Sequence, residues 1–270
     1  MYLELINSAT PSYPFLKEHK NVRYVPHFHD ETEIVYVIKG ELELTIGSSR
    51  YIVTKDDICI IPTEVIHNLY TYTTSEAFVI KLYPIVDLSG MQLDKYVITS
   101  GDPCYARLKE HIDTIMREER DKKSAYEIAV NASAEKLSIL LLREFEHPEK
   151  SQSAILKQNS EKDFLKEVIN FLEQNLNTDF SLDDISNHFN YSKGYFCRHF
   201  KKITGMSLWE YYTIYRIEKS ARLIKQTPTE NLIIIAHQSG FKNTRSFNIA
   251  FKTYYGCTPS EYRKTEVSSK

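Results

Sequence analysis

Two stretches near the C-terminal end repeat the same residue types at the same spacing. The first, Y-S-K-G-Y-F-C-R-H-F-K-K-I-T-G, runs from Tyr191 to Gly205; the second, G-F-K-N-T-R-S-F-N-I-A-F-K-T-Y-Y-G, runs from Gly240 to Gly256. Phe196, Phe200, Lys201 and Gly205 recur 51 residues later as Phe247, Phe251, Lys252 and Gly256. Each copy also carries an arginine, Arg198 or Arg245. A guanidinium offers a planar fork of donors that fits a guanine edge or a phosphate, and a lysine pairs with phosphate as a point charge. Basic and polar groups repeated on a regular scaffold are the chemistry of reading a nucleic acid. The groups that would make an enzyme the economical reading do not appear: there is no H-E-x-x-H, no phosphate loop and no nucleophile and base pair.

Such groups need helices to hold them. Ser181 precedes Leu182, Ile185 and Phe189, whose spacing gives one apolar face, and Asp184 stands where a capping partner would. Asn190 and Tyr191 supply a turn, Ser192 can cap the next helix, and Phe196, Phe200 and Ile203 mark its buried side. Lys193, Gly194, Cys197, Arg198 and Lys201 then face away, the layout of a recognition helix that enters a major groove. In the second unit Ile234, Ile235 and Ala236 lead to Gly240 and Phe241, with Asn243 as cap and Phe247, Ala250 and Phe251 inward. Thr244, Arg245, Asn248 and Ile249 are left for the groove, with Lys252 beyond them. Leu208 to Gln226 holds neither Gly nor Pro and predicts one continuous helix between the units. Its length of about 28 Å approaches the roughly 34 Å between successive major grooves on one face of a duplex.

Leu165 to Lys264 resembles the DNA-binding domain of the AraC-type transcription activators. The resemblance rests on F-K-K-I-T-G-M-S-L with the Y-Y and Y-R-I that follow, then A-x-x-x-G-F, A-F-K and Y-Y-G-C-T-P-S-E-Y-R. It implies that Gly194, Cys197 and Arg198 face bases in one groove and Thr244, Arg245 and Asn248 in the next. Lys193, Lys201 and Lys252 accompany them on the outward side. Two positions depart from the family: Gly194, often bulky, and Ile249, often Arg, which cannot hydrogen-bond a base edge but can press on a thymine methyl.

The N-terminal part has a different texture. From Val22 to about Leu82, short β-branched and aromatic runs alternate with Gly, Ser and Asp turns, and Leu42, Leu44 and Ile46 alternate with Glu41, Glu43 and Thr45. An antiparallel β-barrel or jelly roll follows. The string H-F-H-D-E-T-E from His27, with Pro62 and His67, resembles the cupin motifs. That resemblance implies a divalent metal on His27, His29, Glu33 and His67, a donor set suited to iron, zinc, nickel or manganese. His27 and His29, two apart on a strand, face the same side. The motifs are also degraded, with Asn21 and Glu64 where Gly is usual and Thr71 where Asn is usual. Three readings therefore stand side by side: a metal centre; an effector pocket that uses His27, His29, Glu33, Tyr36 and His67 as polar contacts without any cofactor; and histidines that serve structure alone. Tyr36, Tyr51, Tyr70 and Tyr72 could line such a pocket or belong to the core. A sugar is the family's commonest expectation for the effector.

The expected plan is a two-domain α and β chain. Residues 1–100 form the cupin-like barrel, 101–146 a helical segment, 147–162 a polar linker and 163–265 an all-α double helix-turn-helix domain. Tyr126, Val130, Ser133, Leu137, Leu140 and Leu141 give an apolar seam that either packs on its own barrel or pairs with the same helix of a second chain, so a homodimer through 124–146 is expected. The 270 residues carry 34 Lys and Arg against 36 Asp and Glu. Residues 163–264 hold 14 against 10, a net +4, and the rest 20 against 26, a net −6, which suits a DNA-binding part joined to one that does not bind DNA. The four cysteines, Cys59, Cys104, Cys197 and Cys257, form no C-x-x-C pair, so neither a zinc finger nor a disulfide framework is indicated. No run approaches the length of a membrane helix and no signal peptide is visible, which makes a cytoplasmic location the expectation. The functional expectation is an effector-controlled regulator, an activator by family habit, that binds double-stranded DNA across two adjacent major grooves and meets RNA polymerase there. A metal-dependent cupin enzyme with a DNA-binding appendage is the alternative, and a constitutive DNA-binding protein with a scaffold barrel is a third.

Overall fold

Strand β2 (Thr32–Lys39) is buried along most of its length, although its residues alternate between two faces. The reason lies in its neighbours. In the computed structural model, which describes residues 15–20, 24–71, 74–82, 95–145 and 152–268, the chain divides into two compact units, residues 2–162 and 163–270. The first holds two antiparallel sheets. Five strands lie in the order β1 (Phe15–Lys20), β7 (Glu76–Leu82), β2, β5 (Ile58–Ile61), β8 (Val97–Ile98), and three in the order β4 (Ser49–Thr54), β3 (Glu41–Ile46), β6 (His67–Tyr70). Val35 and Val37 of β2 join Leu42, Leu44, Val53, Cys59, Ile61, Leu69, Ala77 and Val79 in a core between the sheets. Ile34 and Tyr36 point the other way, into a second core with Ile58, Ile60, Phe78 and Ile80. Among the described residues the strands thus form two open sheets in jelly-roll fashion and do not close into a ring.

Helices α1 (Tyr105–Asp121) and α2 (Tyr126–Glu144) cover that outer face through Leu108, Ile112, Ile115, Val130, Ala134, Leu137 and Leu141. This decides between the two roles left open for the apolar seam on α2. Val130, Leu137 and Leu141 are buried in their own core, with Tyr126 and Leu140 packed against it. Pulling each large apolar side chain out for a second subunit would cost roughly 1.5–3 kcal/mol, so the seam belongs to this chain. The outward face of α2 carries Ile128 and Ile139 instead, 72% and 42% exposed.

The linker expectation also changes. Residues 147–151 lie outside the described residues, but Gln152–Gln174 is one helix, α3. Its first turns are polar, which is why they read as a linker; past Asp163, Phe164, Leu165, Val168, Ile169 and Leu172 are buried in the core of the C-terminal unit.

That unit is all helical: α4 (Leu182–His188), α5 (Lys193–Thr204), α6 (Leu208–Gln226), α7 (Leu232–Gln238), α8 (Thr244–Tyr255) and α9 (Pro259–Ser268). The side chains of Ser181, Ser192, Ser207, Asn231 and Asn243 each cap a helix N-terminus, and Ser181 with Asp184 completes a capping box. Helix α6 spans the residues its composition predicts. The repeat is not uniform, however. The caps Ser181 and Asn231 are 50 apart, whereas α5 and α8 begin 51 apart, at Lys193 and Thr244. One extra residue therefore lies in the second turn. Both turns still pass through a left-handed residue, Asn190 at φ 55° and Gly240 at φ 82°. Both close alike, with Tyr191 N–H donating to the Ser186 carbonyl at 2.9 Å and Phe241 N–H to that of Ala236 at 3.0 Å.

Candidate functional site

Main-chain pairing brings the N-terminal cluster together. His27 and His67 form an isolated antiparallel bridge, each N–H donating to the other's carbonyl at 2.9 Å, which sets their rings 4.5 Å apart between centroids. His29 follows two residues on, its ring 5.2 Å from that of His67. Glu33 arrives from β2, opposite Lys81 on β7 and Ile61 on β5. His27, His29, Glu33 and His67 each offer one ligand atom, and those atoms all lie within 4.8 Å of one another.

Hydrogen bonds from the far side of each ring fix its orientation. Nδ1 of His27 donates to the Val25 carbonyl at 2.8 Å, that of His29 to the Glu31 carbonyl at 2.9 Å, and that of His67 to the Val65 carbonyl at 2.8 Å. Carbonyls only accept, so every Nδ1 carries a proton and Nε2 is the nitrogen left for the cluster. Histidines that ligate metals are held in this way. The ionised Glu33 Oε2 only accepts, so His29 Nε2 donates to it at 2.9 Å, and a cation would have to displace that proton. Nε2 of His67 is buried without a hydrogen-bond partner, 4.0 Å from the same oxygen. Burial alone pushes the Glu33 carboxyl up, but the His29 hydrogen bond and the charges of His29, Lys81 and His67 outweigh it and hold the group well below its usual range. Burial, aided by His27, pushes the His67 imidazole well below its ordinary value. At neutral pH the site therefore presents an ionised carboxylate and a neutral imidazole lone pair, the forms that bind a cation. Three imidazole nitrogens, one of them the orphaned buried Nε2 of His67, and one carboxylate fit a first-row divalent ion. Lys81, buried with its Nζ 3.6 Å from Glu33 Oε2, balances the carboxylate charge.

Tyr36 does not belong to this cluster. It lies three residues from Glu33 on the same strand and so faces the opposite side, where its hydroxyl donates to Asp56 Oδ1 at 2.6 Å and Lys109 Nζ lies 4.6 Å from its ring centre. Tyr51 packs on the inter-sheet core beside Tyr96, Tyr70 is half-buried on β6 with its side chain turned from that core, and Tyr72 lies outside the described residues. Lys81 is the member that sequence reasoning missed. It is the cross-strand partner of Glu33, a relation visible only once the register of β2 and β7 is known.

In the C-terminal unit the phenylalanines Phe196, Phe200, Phe247 and Phe251 are fully buried, so the rest of each helix is turned outward. Lys193, Gly194, Cys197, Arg198 and Lys201 are exposed along α5; Arg245, Asn248, Ile249 and Lys252 are exposed along α8, with Thr244 half-buried at its start. A Cβ at Gly194 would sit 3.3 Å from Arg198 Nη1, so the absence of a side chain leaves the guanidinium room over the first turn. Ile249 is 59% exposed on the outward face of α8.

Comparison with known proteins agrees with both halves. The helix-turn-helix domain family matches residues 185–265, and the cupin domain family matches residues 19–83. The HTH-type transcriptional activator AarP of Providencia stuartii is 39% identical over 38% of this chain and 76% of its own length. The chain belongs to the AraC family of transcriptional regulators. Another relative, the HTH-type transcriptional regulator YdiP of Escherichia coli (strain K12), extends the likeness to 88% of this chain and 80% of its own length at 27% identity. Among solved structures, unsaturated fatty acid bound ToxT from Vibrio cholerae strain SCE256 covers 93% of this chain and 94% of its own at 14% identity and a TM-score of 0.49, too loose a likeness to carry a ligand across. As an AraC-family member the chain is a DNA-binding regulator of transcription with a cupin-like N-terminal half. Among the described residues no helix is long and apolar enough to cross a membrane.

Proposed function

We propose that this AraC-family regulator is controlled through the cluster on β2, β6 and the 24–29 segment, and that the cluster takes a first-row divalent cation. His27, His29 and His67 would ligate through Nε2 and Glu33 through Oε2. The observation that carries this reading is the buried, partnerless Nε2 of His67, aimed at three other donors whose orientations are already fixed. A cation there supplies charge that holds the four donors together and a coordination position for a small effector, a sugar included. We read the chain as a sensor because the proteins it resembles are transcriptional regulators. A second reading has Lys81 in its favour: its ammonium already neutralises Glu33, so an organic effector could be gripped by the same polar groups with no metal. Metal analysis of freshly purified protein separates the two. About one equivalent of zinc, iron, nickel or manganese, lost in His67→Ala, supports the cation; protein free of metal after purification from metal-supplemented medium removes it.

On the DNA side, Arg198 and Arg245 are assigned to base edges, with Gly194, Cys197, Thr244 and Asn248 beside them, and Lys193, Lys201 and Lys252 to phosphates. We assign the homodimer contact to the outward stripe of α2, around Ile128 and Ile139, because the inward seam is occupied. Action as a cytoplasmic activator that meets RNA polymerase completes the reading.

A further inference from the structure

The turn between β5 and β6 departs from the cupin pattern at Glu64, and this residue is tied into the fold through its N–H, its carbonyl and its carboxylate. Glu64 sits at φ 64°, a conformation in which glycine is relaxed and other residues are rare. Its N–H donates to the carbonyl of His29 at 2.8 Å. Its own carbonyl accepts from Gln158 Nε2 at 3.2 Å, and its carboxylate pairs with Lys162 Nζ. One residue on, the Val65 carbonyl holds Nδ1 of His67. A short turn thus grips the main chain of His29 and the imidazole of His67 on one side and α3 on the other.

Gln158 and Lys162 are four apart and share one face of α3. Around them little is buried among the described side chains of the first turns of α3: residues 155–157 and 159–160 are exposed, with Leu156 at 62%, whereas Lys162 is buried. Polar contacts to Glu64 therefore hold this part of the helix where its described side chains bury little apolar surface. A segment with so little buried surface opens at low cost. Withdrawing the Glu64 carboxylate would leave a buried ammonium without its counter-charge, so docking of the segment depends on where that turn lies. Beyond Asp163 the same helix enters the core of the DNA-binding unit.

We propose that the Glu64 turn relays occupancy of the cluster to α3. Ligation draws on His29 and His67, shifts the carbonyl and N–H groups that position Glu64, and changes the docking of residues 153–162 through Gln158 and Lys162. This rests on the cation reading of the cluster. The test is amide exchange of residues 153–163 in the full chain with and without Zn²⁺, together with calorimetric titration of Zn²⁺, in the parent, Lys162→Met and Glu64→Gly. The glycine variant relieves the strained φ and keeps the N–H to His29, so it retains the fold if Lys162→Met does not. In the parent, Zn²⁺ is expected to change exchange in this segment by about fivefold or more, within the usual range of coupling between sites. Both variants should still bind Zn²⁺ while losing that change. An equal change in the variants, or none in Zn²⁺-loaded parent, overturns the relay and leaves the cluster standing. Failure of the parent to bind Zn²⁺ overturns the cation reading and the relay with it.

Discussion

Arg198 is exposed near the start of α5, beside a glycine that leaves its guanidinium free to move, and it is the side chain best suited to a guanine edge. Arg198→Ala is expected to lower affinity for a selected duplex by about 1–3 kcal/mol and to relax preference at one base step, measured by binding to a panel of single-base variants. Uniform weakening on every duplex would make it a phosphate contact instead. Residues of this kind were legible in the sequence because the buried phenylalanines of each copy leave only one outward face. The cluster was legible as far as its four donors, His27, His29, Glu33 and His67. Tyr36 was misplaced although a parity count from Glu33 would have excluded it, and Lys81 was invisible because cross-strand register is not written in local spacing.

At the scale of elements, the double helix-turn-helix is held by its turns and caps. Gly240 is the most constrained of these positions: it sits at φ 82°, and a Cβ there would lie 2.6 Å from both the carbonyl oxygen and a side-chain carbon of Leu176. The left-handed conformation alone costs a non-glycine residue roughly 1–2 kcal/mol, and the backbone contact cannot yield cheaply. Gly240→Ala should therefore destabilise the C-terminal unit by at least about 2 kcal/mol, read by thermal denaturation of the full chain. Asn190→Gly at the matching turn should be neutral or mildly stabilising, because φ 55° favours glycine. A Gly240→Ala protein as stable as the parent would contradict this account of the turn. Helix α6 and the caps Ser181, Ser192 and Asn243 could be read from sequence because Ser, Asn and an uninterrupted run of helix formers act locally. The first turns of α3 and the seam of α2 could not. Polar residues in a helix held by side-chain contacts look like a linker, and an apolar stripe does not say which surface covers it.

Over the whole molecule, the charge division and the two textures of sequence match two units of different kind, a β sandwich holding a cluster of donors and a helical unit presenting two basic helices. Occupancy of His27, His29, Glu33 and His67 is expected to alter DNA binding. A ligand can shift that equilibrium only by its differential affinity for the two states. The most direct measurement is the affinity of the full chain for its selected duplex, stripped of metal and then loaded with Zn²⁺, in the parent and in His67→Ala. The account predicts a change of roughly 5-fold or more on loading in the parent and none in the variant. Equal affinity of stripped and loaded parent, with Zn²⁺ demonstrably bound, would contradict it.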